Sequence, residues 1–131
     1  MIKSHDTRDS HDIRVKVRTE FLANQSEPEQ DRYAFAYHIR IENHGNRGAK
    51  LLSRHWLITD GNEHTQEVKG EGVVGEQPFI APGNHHEYSS GAVITTPVGS
   101  MRGSYHMVDE SGEAFDAVIP VFTLAQPRAL N

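Results

Sequence analysis

The stretch Tyr33-Ala34-Phe35-Ala36-Tyr37-His38-Ile39-Arg40-Ile41-Glu42 decides the fold class. Tyr33, Phe35, Tyr37, Ile39 and Ile41 fall on one side of a period of two, while Ala34, Ala36, His38, Arg40 and Glu42 fall on the other. Successive side chains of a strand point to opposite faces, so this alternation describes a strand with one face on a core and one in water. Upstream, Ile13, Val15, Val17 and Phe21 alternate with Arg14, Lys16, Arg18 and Glu20 in the same way, and the polar stretch from Asn24 to Asp31, with Pro28, separates the two strands. Downstream, Asn43-His44-Gly45-Asn46 is turn chemistry, and Leu51 to Thr59 reads as a third strand with Leu52, Trp56 and Ile58 inward.

The pattern repeats to the end of the chain. Asp60-Gly61-Asn62 forms a turn into a fourth, glycine-interrupted strand from Thr65 to Val74. Pro78 and Pro82-Gly83 bracket a loop before a short edge strand, His86 to Ser90. Met101, Gly103, Tyr105 and Met107 alternate on a sixth strand, and Phe115, Ala117 and Ile119 begin a seventh after the Glu110-Ser111-Gly112 turn. Pro120 donates no backbone hydrogen bond, which places this last strand at a sheet edge or at a bend. No window carries the period and caps of an amphipathic helix. The expectation is an all-β, immunoglobulin-like or fibronectin type III-like β-sandwich of about seven antiparallel strands, with a small closed barrel as the alternative. It spans residues 13–126 as a single domain, between a disordered N-terminal tail, 1–12, and a short C-terminal tail, 127–131.

Composition limits the function. The 131 residues suffice for one domain, and 36% hydrophobic with 24% charged residues describes a globular chain. The formal charge of −5 opposes a phosphate backbone, so no nucleic-acid partner is expected. With no cysteine, disulfides, thiolate metal sites and cysteine nucleophiles are excluded. The polar start of the chain has no apolar signal segment, and no run approaches a membrane span; a cytoplasmic protein without membrane insertion is expected. Asn24-Gln25-Ser26 matches a glycosylation sequon that such a location leaves unused.

Several motifs invite chemistry. Gly70-Glu71-Gly72-Val73-Val74-Gly75 spells the dinucleotide-binding pattern, but Pro78 follows and no βαβ unit surrounds it. A glycine-bearing strand end with a bulge explains it as a structural feature, and a backbone nest for phosphate is the functional alternative. Nine histidines could include imidazole ligands, yet no helical H-x-x-x-H spacing occurs, and His85 and His86 would point to opposite faces of a strand. No metal ligand and no cofactor is assigned. Gly99-Ser100-Met101-Arg102-Gly103 narrowly misses a nucleophile elbow and lacks its strand–turn–helix setting, so no catalytic residue and no enzyme activity is expected. Arg54, His55 and Trp56 group the residue types that interaction hot spots use, although a strand tryptophan is most simply core. By parity Arg54 shares the face of Trp56, which puts it at the sheet's end or beside a buried carboxylate.

Taken together, Gln25-Ser26 with Pro28, Arg32 to Tyr37, Leu51 to Thr59, Gly70 to Gly75 continuing to Gln77-Pro78, Ala81-Pro82-Gly83, Tyr88-Ser89-Ser90-Gly91 and Ile119 to Phe122 resemble the ApaG family, also called CorD. The resemblance covers residues 13 to 124 and implies a fibronectin type III-like sandwich. It also implies an accessory role associated with cobalt resistance and magnesium efflux, beside a gene for diadenosine-tetraphosphate hydrolysis. Fusions of the domain in eukaryotic F-box and DNA-polymerase-interacting proteins imply protein–protein interaction. A partner protein bound through Arg54, His55 and Trp56 is therefore the leading expectation. Pyrophosphate or a nucleotide held at residues 70–77 by Gly70, Gly72, Gly75 and Gln77 is the second, and direct divalent-metal binding the third. The histidine-bearing tail before Ile13 and the Asn84-His85-His86 segment lie outside the family's pattern.

Overall fold

A computed structural model describes residues 8–128 and consists almost wholly of strands. In chain order these are β1 (Ile13–Phe21), β2 (Tyr33–Asn43), β3 (Ala49–Thr59), β4 (Thr65–Glu71), β5 (Phe79–Ile80), β6 (His85–Ile94), β7 (Val98–Asp109) and β8 (Ala114–Ala125). They form two antiparallel sheets, one ordered β1-β2-β6 and the other β4-β3-β7-β8, with β5 pairing beside β4's end of β3. The architecture is the expected sandwich of two packed sheets. Among the described residues, no helix is long and apolar enough to cross a membrane.

The alternation in β2 does what its sequence dictates except at Ala34, expected on the wet face but buried, where the Ala23–Gln25 turn packs and the Ala34 amide donates to the Ser26 hydroxyl. Phe35, Tyr37, Ile39 and Ile41 are buried, while His38, Arg40 and Glu42 line the outer face. Opposite them lie Leu51, Trp56, Met101, Tyr105, Met107, Ile119 and Leu124 from the second sheet. Trp56 stands at the centre, edge-on to Tyr37, Tyr105 and Phe122. Burying each such side chain contributes roughly 1.5–3 kcal/mol.

The sequence reading needs correction elsewhere as well, first because the short edge strand expected over His86–Ser90 runs as the ten-residue β6. Leu52 was expected inward, but a β-bulge between Leu51 and Ser53 shifts the parity of β3, so Leu51 takes the core position and Leu52 is only half-buried. The fourth strand stops at Glu71 instead of Val74, because Gly72 to Glu76 turns back as a hairpin. The two-residue β5 is an eighth strand. Pro120 lies within a last strand that runs on to Ala125, and it occupies a bulge where two residues of β8 oppose Arg102. That strand is also the edge of its sheet, so both readings of the proline apply.

Residues 1–7 of the assigned N-terminal tail, and 129–131 of the C-terminal one, lie outside the described residues. His11, also assigned to that tail, stacks on Phe115 with ring centroids 3.8 Å apart and reaches Asp109 at 2.7 Å.

On the outer face of the three-stranded sheet, Glu42 accepts from His44 at 2.9 Å and from Arg40 at 2.6 Å, with Lys16 at 3.4 Å. These partners, His44 foremost, hold its carboxyl down from 4.5 to about 2. A folded-state pKa below the unfolded one gives stability that is complete above pH 4.5 and lost as the pH falls through about 2. Glu42→Gln lacks this contribution at every pH. The urea midpoints of the two proteins should therefore differ at neutral pH and converge between pH 4.5 and about 2; a gap independent of pH would contradict the assignment.

Candidate functional site

The Gly70–Gln77 segment is built from backbone necessity. Val73 and Glu76 exchange both of their backbone hydrogen bonds, at 2.8 and 3.0 Å, around Val74 and Gly75, whose φ angles are +47° and +79°. Two left-handed central residues are what a tight type I′ hairpin needs, and Gly75 meets that without strain. Gly72 also has a positive φ, and a Cβ there would sit 2.3 Å from the Glu76 carbonyl oxygen. The Gly72 amide donates to the Leu52 carbonyl, which the Gln77 side chain also reaches at 2.9 Å. Gly70 faces Arg54 across β3–β4, and a Cβ on Gly70 would lie 2.7–2.8 Å from the guanidinium group.

Gly70, Gly72 and Gln77 thus serve the hairpin's own construction, pinning it to the β3 bulge. The amides of Gly72, Val73 and Glu76 are bonded within the protein, leaving those of Val74 and Gly75 at the exposed tip, between the carboxylates of Glu71 and Glu76. No helix follows to present an N-terminus to phosphate. Gly75 is the glycine whose Cβ position is open, so ligand binding is tested there; a bulky residue at Gly72 would open the hairpin itself.

Val74 is the anomaly in this turn. A β-branched residue with positive φ is strained, yet its side chain is 63% exposed and gains no burial in return. Val74→Asn creates the preferred Asn-Gly pair of a type I′ turn and is expected to stabilise the protein by about 1 kcal/mol, read as a higher thermal midpoint. An unchanged or lower midpoint would contradict the turn assignment.

Arg54, His55 and Trp56 occupy three different environments. Trp56 is 2% exposed and belongs to the core, its ring out of reach of a partner. Arg54 shares the inward side but meets no buried carboxylate; its Nη1 donates to the carbonyls of Glu71 and Gly72 at 3.0 and 2.9 Å. His55 faces out, bonded to Glu67 at 2.6 Å, and holds that carboxyl below its ordinary value. Across the same outer face His106 meets Asp116 at 2.9 Å, and His55, His106 and Asp116 line an open depression of about 440 Å³ with Ser53 and Ser104. Such a face can offer hydrogen bonds, but it is open and wet.

Two arrangements escaped sequence reading because they join distant residues. Asp109, its side chain fully enclosed, accepts from the Ser111 hydroxyl and amide and the Glu113 amide on one oxygen, and meets His11 and Arg47 with the other. The Ser111 hydroxyl, then His11, holds this carboxyl well below the usual range. Ligand atoms of His11, Asp109 and Glu113 lie within 4.8 Å of one another, with Arg47 at 3.3 Å from Asp109 and 3.6 Å from Glu113. Between the sheets, the hydroxyls of Tyr88 and Tyr105 meet at 2.5 Å, and burial pushes both phenols well above their ordinary value. Only the Asp109-x-Ser111 turn spacing signals the first; nothing local signals the second.

Comparison with known proteins identifies the family and matches the overall fold. The model of the ApaG domain family matches residues 23–109. "Protein ApaG" of Pseudomonas paraeruginosa strain PA7 is 62% identical over 92% of this chain and 96% of its own length. The protein of the same name from Thiobacillus denitrificans is 60% identical, over 92% of this chain and 95% of its own. A crystal structure of an ApaA protein from Bordetella pertussis superposes with a TM-score of 0.90 at 49% identity, covering 93% of this chain and 99% of that one.

Proposed function

The chain belongs to the ApaG family, and from that premise we propose that it is a non-catalytic cytoplasmic module that binds another protein, with an indirect effect on cobalt resistance and magnesium efflux. The supporting observation is where its exposed apolar side chains lie. Val74 projects from a hairpin tip, Phe79 from the two-residue β5, Val93 from the edge strand β6, and Val118 and Val121, 72% and 65% exposed, from the edge strand β8. Apolar groups at uncovered edges and tips are suited to burial by a partner.

The other two readings have less behind them. Pyrophosphate or a nucleotide at residues 70–77 would have the amides of Val74 and Gly75 to bind, opposed by two flanking carboxylates. A divalent ion at His11, Asp109 and Glu113 would compete with Arg47, which already supplies those carboxylates with a cation.

The test places a photo-crosslinking amino acid at Val74, Val93 or Val118 in turn, in protein made at its natural level in living cells. A discrete adduct with another protein from at least one position is expected, with the folded protein's thermal midpoint unchanged. Absence of adducts from all three contradicts the reading.

A further inference from the structure

We propose that Val74, at the tip of the Gly72–Glu76 hairpin, is the anchor by which this chain docks into an apolar pocket with a basic rim on a partner protein, and that Phe79 on β5 borders the same contact. This rests on the protein-binding reading and names its surface and the chemistry of its partner.

The first support is a cost with no return inside the fold. A single exposed apolar side chain is ordinary. Val74 differs because it is β-branched, 63% exposed and held at a φ of +47°, a combination that lowers stability and adds no burial. Asparagine would satisfy the same turn with less strain. Strained residues of this kind cluster where function needs their side chain, and the side chain offered here is a compact apolar one.

The second support is the mount. Val73, next to the tip, is fully buried, and the Gly72 amide and Gln77 side chain both donate to the Leu52 carbonyl. Arg54 donates to the carbonyls of Glu71 and Gly72. The tip is therefore fixed before any partner arrives, so docking it loses little conformational freedom, and a projecting tip needs a concave receptor. Two residues from Leu52 along β3, Lys50 pairs with Phe79, which is 56% exposed and whose ring lies against Gly48. The hairpin and β5 thus attach to neighbouring positions at one end of β3 and bring both exposed apolar groups to that end.

Charge narrows the receptor. Glu71 precedes the turn and Glu76 closes it, and among the described residues neither carboxylate forms an ion pair with a lysine or arginine; Glu76 has only the His86 imidazole, at 3.9 Å. Of the neighbouring cations, Arg54 is taken up by backbone carbonyls, while Lys50 and Lys69 sit on β3 and β4 and not on the hairpin. Lysine or arginine around the partner's pocket complements the two free carboxylates as the pocket receives Val74. A second copy, with a formal charge of −5, is the poorer receptor for an acidic tip.

The probe is the photo-crosslinking residue p-benzoylphenylalanine in place of Phe79, in the full chain at its natural level in living cells. A discrete adduct with another protein is expected. Val74→Asn, which relaxes the turn, should lower its yield roughly tenfold or more while the thermal midpoint rises. Val74→Ile, which keeps a branched apolar tip, should retain the adduct, and Glu76→Lys should diminish it. A purely structural role for Val74 predicts the reverse, a stabilised protein that crosslinks as well as before. Unchanged yield from Val74→Asn or Glu76→Lys, loss with Val74→Ile, or an adduct with the mass of a dimer overturns the proposal. If Phe79 gives no adduct while Val93 or Val118 does, the hairpin assignment fails and the binding-module reading stands; if none of the positions does, both fail.

Discussion

Gly103→Ala is expected to destabilise the protein by about 3 kcal/mol or more, enough to remove much of an ordinary domain's stability. Gly103 pairs with Trp56 in the middle of the second sheet and borders the bulge that accommodates Pro120. A Cβ there would lie 2.0 Å from the His55 carbonyl oxygen and 3.2 Å from the Trp56 Cα. Both are backbone atoms of the central strand, so relief requires β3 and β7 to part and to lose ladder hydrogen bonds on either side. Ser104→Ala, one residue on and facing outward, is the control and should change stability by less than about 0.5 kcal/mol. Urea unfolding of the two variants decides the matter; a Gly103→Ala protein within 1 kcal/mol of the wild type, on the order of an ordinary substitution, would contradict the close approach of these strands.

The second large effect concerns Trp56. Trp56→Ala is expected to cost about 4 kcal/mol, as truncating a large buried aromatic does, because it removes the ring that Tyr37, Tyr105 and Phe122 all contact. His55→Ala, its neighbour, removes a surface pair with Glu67 and should leave the unfolding midpoint nearly unchanged. If Trp56 were an interface residue the order would reverse, with stability kept and partner binding lost. Thermal unfolding of both variants separates these outcomes.

Much of this architecture is legible in local pattern. The alternation in Tyr33–Glu42 gives β2 and, apart from the buried Ala34, both of its faces, and Pro120 announces an edge or a bend, because each depends only on near neighbours in sequence. What escapes is set by non-local geometry. The Leu51/Ser53 bulge moves the core position from Leu52 to Leu51, and no residue type in Leu51-Leu52-Ser53 marks it. The candidate site divides the same way. The glycines mark a strand end in the sequence, but their spacing does not give the tight turn around Val74 and Gly75, and Gly70's role depends on a guanidinium from sixteen residues earlier in the chain. Asp109 with His11, and Tyr88 with Tyr105, require the folded topology before their chemistry can be seen. The open edge of β6 depends on what does not cover it, a property that only the assembled sheets possess.

One measurement addresses the central claim directly: a backbone-amide NMR titration of the full chain with pyrophosphate and with cobalt, each added to a fresh aliquot. We expect no saturable change at Val74 and Gly75 with pyrophosphate or around His11 with cobalt. Saturable shifts at the hairpin tip with pyrophosphate, or a metal-centred broadening at His11 with cobalt, would contradict the account.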